Sequence, residues 1–94
     1  MPRSFWVYVM ASQSRVLYTG MTNDIARRLG KHRSGIGSAF VRRYRVTRLV
    51  HLEEYPTPGE AIRREKEIKA WRREKRVWLI EGSNPEWRDL AEES

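Results

Sequence analysis

The hydrophobic pattern changes period several times along the 94-residue chain. Residues 5–10, FWVYVM, are aromatic and β-branched without a polar break, the composition of a strand packed on both faces. Ser12, Gln13 and Ser14 interrupt the run, and VLYTG resumes it until Gly20, which predicts a β-hairpin. A three-residue loop would pair Ala11 with Arg15 and set Tyr8 across from Tyr18, both phenols on one face. A four-residue loop would split them. After Gly20 the period becomes helical. Thr22 and Asn23 suit an N-cap, Asp24 suits the positive end of the helix dipole, and the helix runs to about Arg33 with Gly30 as a weak point. At about 100° per residue, Ile25, Arg28, Leu29 and His32 share one side, while Arg27 and Lys31 share the other. Arg28 is thereby held beside the core and Arg27 points at solvent.

SGIGS lacks either period and leads into AFVRRYR; together they read as a mobile, basic loop. VTRLVHLEEY is a third strand, with Val46, Val50 and Leu52 expected on one face and Leu49 on the other, ended by a turn from Pro56 to Gly59. EAIRREKEIKAWRREKRVWLIEG is helical throughout, as two helices joined near Arg73, with Gly82 closing the second. Asn84 before Pro85 suits a new short helix with proline in its first position, and the tail from about 91 to 94 is expected to fray. Neither repeats nor a linker interrupt the chain. The expectation is a single α/β (α+β) domain over residues 1–94: a small three-stranded mixed sheet with flanking helices, in the order β-β-α-β-α-α.

Charge narrows the function. Lys plus Arg total 19 against 12 Asp plus Glu, a net +7 carried mostly by arginine, which favours a polyanionic partner and bidentate contact with phosphate. There is no cysteine and there are two histidines, so disulfides, thiol nucleophiles and cysteine-rich zinc sites are excluded. A metal would be held by oxygen, which points to Mg2+ or Mn2+. No apolar run is long enough for a membrane span, and MPRSFWVYVM lacks the pattern of a signal peptide, so a cytoplasmic location is expected.

One carboxylate is out of place. On the long helix Ala61 and Ile68 flank Glu65 on one side and Ile62 on the other, so Glu65 lies within the apolar stripe, whereas Glu60 and Glu67 face outward. A carboxylate near a core is costly unless paired or bound to metal. Arg28 in a plain buried salt bridge is one possible partner and a metal ion is the other.

The tyrosine of VYV, the YTG ten residues later, an arginine eight residues after Gly20, a histidine four further on and a lone helical glutamate resemble the GIY-YIG nuclease superfamily. YTGMTNDIARRLGKHRSG, RREKEIKAWRREKRVWLIEGSNPEWRDL and the length are similar to its small stand-alone, single-domain bacterial members of the YhbQ-like group. The resemblance implies that Tyr8 and Tyr18 are the paired tyrosines, Gly20 the second motif glycine, Arg28 the arginine, His32 the histidine and Glu65 the metal-ligating glutamate. Asn84 matches the late asparagine as a possible site residue. Trp6, Val7 and Tyr8 stand where the family has GIY, so its first glycine is absent, and Thr19 replaces the isoleucine of YIG.

The implied activity is divalent-metal-dependent hydrolysis of DNA phosphodiesters, with Mg2+ or Mn2+ on Glu65 and Arg28 opposing transition-state charge. Either Tyr8 or Tyr18 orients or deprotonates the attacking water, and His32 relays a proton or positions a tyrosine. Arg33, Arg42, Arg43, Arg45, Arg63, Arg72 and Arg73 are candidates for salt-dependent backbone contacts. No base-reading element is evident, so little sequence specificity is expected, with branched or damaged DNA among the candidate substrates and DNA favoured over RNA. Trp71, Trp78 and Trp87, at helical spacing, read as core. The alternatives are a non-catalytic nucleic-acid-binding module of the same fold, serving as an accessory subunit to a protein partner, and a protein-interaction adaptor whose charge is incidental.

Overall fold

The period-two segments form one sheet. Strands β1 (Phe5–Ala11), β2 (Leu17–Thr22) and β3 (Arg48–Tyr55) are ordered β2-β1-β3 in the computed structural model, which describes residues 3–35 and 38–92. Both pairings are antiparallel, so the sheet expected to be mixed is antiparallel throughout. The connection explains this. Thr22 ends β2 opposite Trp6, and helices α1 (Ile25–Ser34) and α2 (Ala39–Tyr44) return the chain to the other end of the sheet. There Arg48 starts β3 beside Ala11 and the strand runs against β1.

The hairpin pairs Ala11 with Leu17, Met10 with Tyr18 and Tyr8 with Gly20, so its loop spans residues 12–16 rather than three residues. Ala11 therefore does not pair with Arg15, and Tyr8 lies diagonal to Tyr18. The loop keeps the odd count of the three-residue alternative, and parity still puts both phenols on one face. Arg15 takes a left-handed conformation, φ 67°, and its N–H donates to the Ser12 carbonyl at 2.9 Å.

Both faces of the sheet are buried, as the unbroken run in β1 predicts. Val7, Val9 and Val50 pack with Ala61, Ile68, Ile80 and Trp87 on the side of helices α3 (Pro58–Ala70) and α4 (Arg73–Ser83). Tyr8, Met10, Leu49 and Val46 pack on the other side with Ile25 and Leu29 of α1 and Val41 of α2. The expected faces of β3 are corrected by a bulge. Val9 pairs with His51 and Met10 with Leu49, leaving Val50 without a partner in the register. The extra residue reverses the alternation, so Val46, Leu49 and Leu52 share the α1 face and Val50 the opposite one.

Several boundaries also differ from the expectation. The N-cap of α1 is Asp24, whose carboxylate accepts from the Arg27 N–H at 3.1 Å, rather than Thr22 or Asn23. Residues 39–44 form α2, where a loop was expected. Ser38 caps it by accepting from the Val41 N–H at 3.3 Å, and burial of Val41 anchors it to the sheet. Ile36 and Gly37 of the expected loop lie outside the described residues.

The two long helices part at Trp71 and Arg72. Gly82 lies inside α4, which ends one residue later on the Asn84 cap. Asn84 and Pro85 open a turn instead of a helix, because the Asn84 amide is occupied by the backbone on both sides of it. A short 3-10 turn, Leu90–Glu92, follows. Leu90 and Ala91 pack on the Tyr8 face rather than fraying, while residues 93–94 lie outside the described residues. Trp87 and Trp71 join the core, but Trp78 is 68% exposed. No helix among the described residues is long and apolar enough to cross a membrane.

Candidate active site

Tyr8 is the centre of the candidate site. Its position in the middle strand leaves the side chain fully buried, with Gly20 directly opposite on β2. A Cβ on Gly20 would lie 2.5 Å from the Tyr8 Oη and 2.7 Å from its Cζ, so the absence of a side chain there lets the phenol lie flat across the neighbouring strand. This is the physical requirement behind the glycine of YTG.

The α1 face carries its residues as the helical period predicts. Ile25 and Leu29 pack into the core, Arg28 is partly buried beside them, and Arg27 is exposed. His32, one turn beyond Arg28, is buried, and its Nε2 lies 3.4 Å from the Tyr8 Oη. The His32 ring stands edge-on to both tyrosines, with centroids 5.7 Å from Tyr8 and 5.3 Å from Tyr18. The two phenol rings are 6.3 Å apart.

Burial, the neighbouring Tyr18 phenol and the Glu65 carboxylate hold the Tyr8 phenol well above its ordinary pKa, with the Arg28 guanidinium pulling the other way through charge and a hydrogen bond. Tyr18 and His32 thus contact Tyr8 directly, and the charges of Arg28 and Glu65 act on it. Burial and the Arg28 cation push His32 below its ordinary pKa, which the Val46 backbone opposes in part. His32 is therefore neutral at pH 7, and its Nδ1 is buried without a well-formed hydrogen-bond partner.

Glu65 lies one turn from Ala61 and near Ile68, both fully buried, and is itself 19% exposed. Its ion-pair partner is Lys69 of the same helix at 3.6 Å, so the buried Arg28 salt bridge considered above is not formed. No cluster of three or more acidic or histidine ligands exists among the described residues. A single accessible carboxylate fits a hard cation that keeps most of its water, such as Mg2+, and does not fit a fully protein-ligated ion.

Asn84 has a scaffolding contact. Its Nδ2 donates to the Val50 carbonyl at 3.1 Å and the Arg88 carbonyl at 2.9 Å, and its Oδ1 accepts from the Arg88 N–H at 3.0 Å. It thereby satisfies the bulged residue of β3. Among the candidate phosphate contacts, Arg33 is paired with Asp89 at 2.8 Å and Arg73 donates to the Arg15 carbonyl at 2.8 Å. Arg42, Arg43, Arg45, Arg63 and Arg72 are exposed.

Two groups escaped the sequence reading. His51, Glu53 and Tyr55, alternate residues of β3, face α3, where Glu53 accepts from His51 at 2.7 Å, Tyr55 at 2.6 Å and Arg64 at 2.8 Å. Arg64 also pairs with Glu67. The period-two spacing of three polar groups in HLEEY was the available signal. Phe40 and Tyr44 of α2 extend the aromatic row outward from Tyr18, with centroid steps of 6.3 and 4.9 Å; the helical spacing of AFVRRY would have revealed this pair.

Residues 4–77 match the model of the GIY-YIG catalytic domain. The chain belongs to the GIY-YIG nuclease family. Within the family it is similar to a UPF0213 protein of Haloquadratum walsbyi, 40% identical over 76 residues, covering 81% of this chain and 85% of the relative. A UPF0213 protein of Staphylococcus aureus strain Mu3 is 39% identical over 77 residues, covering 82% and 94%. The solution NMR structure of a UPF0213 protein from Bacillus halodurans superposes with a TM-score of 0.61 at 32% identity, covering 97% of each chain. The α+β architecture is shared with that solved structure.

Proposed function

We propose that this chain, as a single GIY-YIG domain, is a divalent-metal-dependent endonuclease that hydrolyses DNA phosphodiesters with little sequence specificity. The observation that carries the reading is the Tyr8–Tyr18–His32 cluster, with the charges of Arg28 and Glu65 acting on Tyr8, in a chain of this family. A pure binding module has no use for a carboxylate beside a phosphate, so the geometry favours catalysis over the non-catalytic alternative.

The chain's own groups divide the work by accessibility. Tyr8 is buried at the middle of the array: its Oη lies 3.4 Å from His32 Nε2, and the Arg28 cation acts on it. Tyr18 is only partly buried and is the phenol able to meet and orient the attacking water. Arg28 lines a small cavity with Thr22, Asp24 and Lys31, where its guanidinium can hold non-bridging oxygens and oppose the charge that grows on them. The water oxygen bonds to phosphorus as the bond to the 3′ oxygen breaks, and a water proton ends on that oxygen, while His32, buried against both rings, positions the tyrosines. Glu65 would hold the Mg2+ or Mn2+, which supplies Lewis-acid stabilisation of phosphate and leaving group when bound.

Single-stranded, duplex, flap and four-way-junction DNA, with RNA alongside, should be incubated with Mg2+ or Mn2+ and wild-type protein or Glu65→Ala. Cutting that requires metal and disappears in Glu65→Ala is the expected result and identifies the substrate. Salt-dependent binding by both proteins with cutting by neither would instead establish the binding module.

A further inference from the structure

The loop of the β1–β2 hairpin and the segment after α2 border an open surface cavity of about 620 Å³, lined by Ser12, Gln13, Ser14, Tyr44, Arg45 and Arg48 among others. Its lining combines two cations, small polar groups and an aromatic ring. Arg45 and Arg48 are exposed, and neither makes an ion pair or a side-chain hydrogen bond among the described residues. Ser14 and Gln13 offer exposed polar groups, and Tyr44 contributes a ring that is 42% exposed.

Arg45 also holds an unusual backbone position. It occupies the left-handed C-cap of α2 at φ 54°, where glycine or asparagine would cost less, and its N–H reaches the Val41 carbonyl. Arginine at such a position adds a cation at the mouth of the cavity.

The cavity is connected to the candidate active site. From Tyr18, beside His32, the rings step to Phe40 at 6.3 Å and to Tyr44 at 4.9 Å. Phe40 is 43% exposed, so an apolar surface with π faces leads from the reacting centre to two unpaired guanidiniums. Base stacking is tolerant of sequence, and arginine recognises phosphate. Bases within a duplex are already stacked on their neighbours, whereas an unpaired base can settle on a ring. The Arg43 guanidinium, 5.5 Å from the Tyr44 centroid, is exposed and adds a third cation beside that ring.

We propose that this cavity is a second nucleotide subsite, in which Tyr44 stacks on an unpaired base flanking the scissile phosphate while Arg45 and Arg48 hold the next phosphate of the strand. The assignment rests on the nuclease reading for its direction along the strand. As a binding site it stands on its own lining.

The test is binding of a short single-stranded oligonucleotide carrying 2-aminopurine, in EDTA, to the full chain and to its Tyr44→Ala, Tyr44→Phe and Arg48→Ala variants. Tyr44→Ala should weaken binding roughly 5- to 140-fold and reduce 2-aminopurine quenching, with Tyr44→Phe restoring both. Arg48→Ala should lower the salt slope by about 0.7. A duplex of the same sequence should bind with little dependence on Tyr44.

Wild-type affinity and salt slope in Tyr44→Ala and Arg48→Ala would overturn the subsite, even if the protein cleaves DNA. Tyr44-dependent binding without cleavage by wild type in Mg2+ would support it while removing the nuclease reading. Equal affinity for a free deoxynucleoside monophosphate would overturn the role in tracking a strand.

Discussion

Protonating Glu53 should remove a large part of this protein's stability, and the magnitude can be worked from its surroundings. Burial alone would raise its pKa, but hydrogen bonds from His51, Arg64 and Tyr55 overcome that and hold the carboxyl down at about 2, against an ordinary value of 4.5. The side chain is 16% exposed, so solvent screens these contacts only weakly. A folded-state pKa below the unfolded one means that the ionised form stabilises the fold. That stabilisation is complete above about pH 5 and fades as pH falls through 4 towards 2. At 1.36 kcal/mol per unit, the shift corresponds to about 3 kcal/mol, a substantial share of the roughly 5–15 kcal/mol typical of a small domain. Urea unfolding followed by tryptophan fluorescence at steps from pH 7 to 2 would measure it, comparing wild type with Glu53→Gln. The expected gap is about 3 kcal/mol at pH 7, closing towards zero near pH 2. Other carboxylates titrate in both proteins and cancel in the difference. Parallel curves over the whole range would refute the reasoning, because the gap would then owe nothing to the charge on Glu53.

Gly20→Ala should cost about 1–3 kcal/mol in urea unfolding, because its Cβ meets the Tyr8 Oη and Cζ; adding Tyr8→Phe should recover part of that loss, and strictly additive effects would show the contact to be unimportant. His32, with its folded pKa pushed below 6.5, stays neutral where the unfolded chain gains a proton, so wild-type stability should fall below pH 6.5 more steeply than that of His32→Gln. Matching slopes above pH 5 would contradict the shift. Asn84→Ala strips three hydrogen bonds from backbone groups of Val50 and Arg88 and should cost about 2–3 kcal/mol, whereas a loss confined to cleavage would assign Asn84 to chemistry instead.

Much of the site was legible because its positions follow strict periods. One face of a strand repeats every second residue and one face of a helix about every 3.6, so the helical positions of Arg28, His32 and Glu65 carry direction, whereas the relative facing of Tyr8 and Tyr18 waited on the hairpin register. The hairpin loop was misjudged in length, but parity alone decided which face held both phenols. The bulge at Val50 was not legible, since a single extra residue among apolar neighbours leaves no compositional mark. Helix α2 was hidden for a different reason. The glycines and serines before it read as a loop, and its stability comes from burying Val41 against the sheet, a tertiary contact that a six-residue helix cannot announce through propensity.

Helix α3 connects these elements. It packs against all three strands, and its consecutive residues Arg64 and Glu65 point about 100° apart. Arg64 turns into the His51–Glu53–Tyr55 network on one side of the sheet, while the Glu65 charge acts on Tyr8. The rotation of α3 about its own axis is therefore fixed by a charged hydrogen-bond network that takes no part in the proposed chemistry. Among the described residues the one ion-pair partner of Glu65 is Lys69 of the same helix, so the place of Glu65 relative to the sheet depends on how α3 is seated. Anchoring its neighbour keeps Glu65 open and in place, so Arg64→Lys, which keeps the charge but loses the fork that grips Glu53, should weaken metal-dependent cleavage more than it weakens binding of nucleic acid in EDTA. Equal losses in both measurements would mean that the network supports the fold without orienting Glu65.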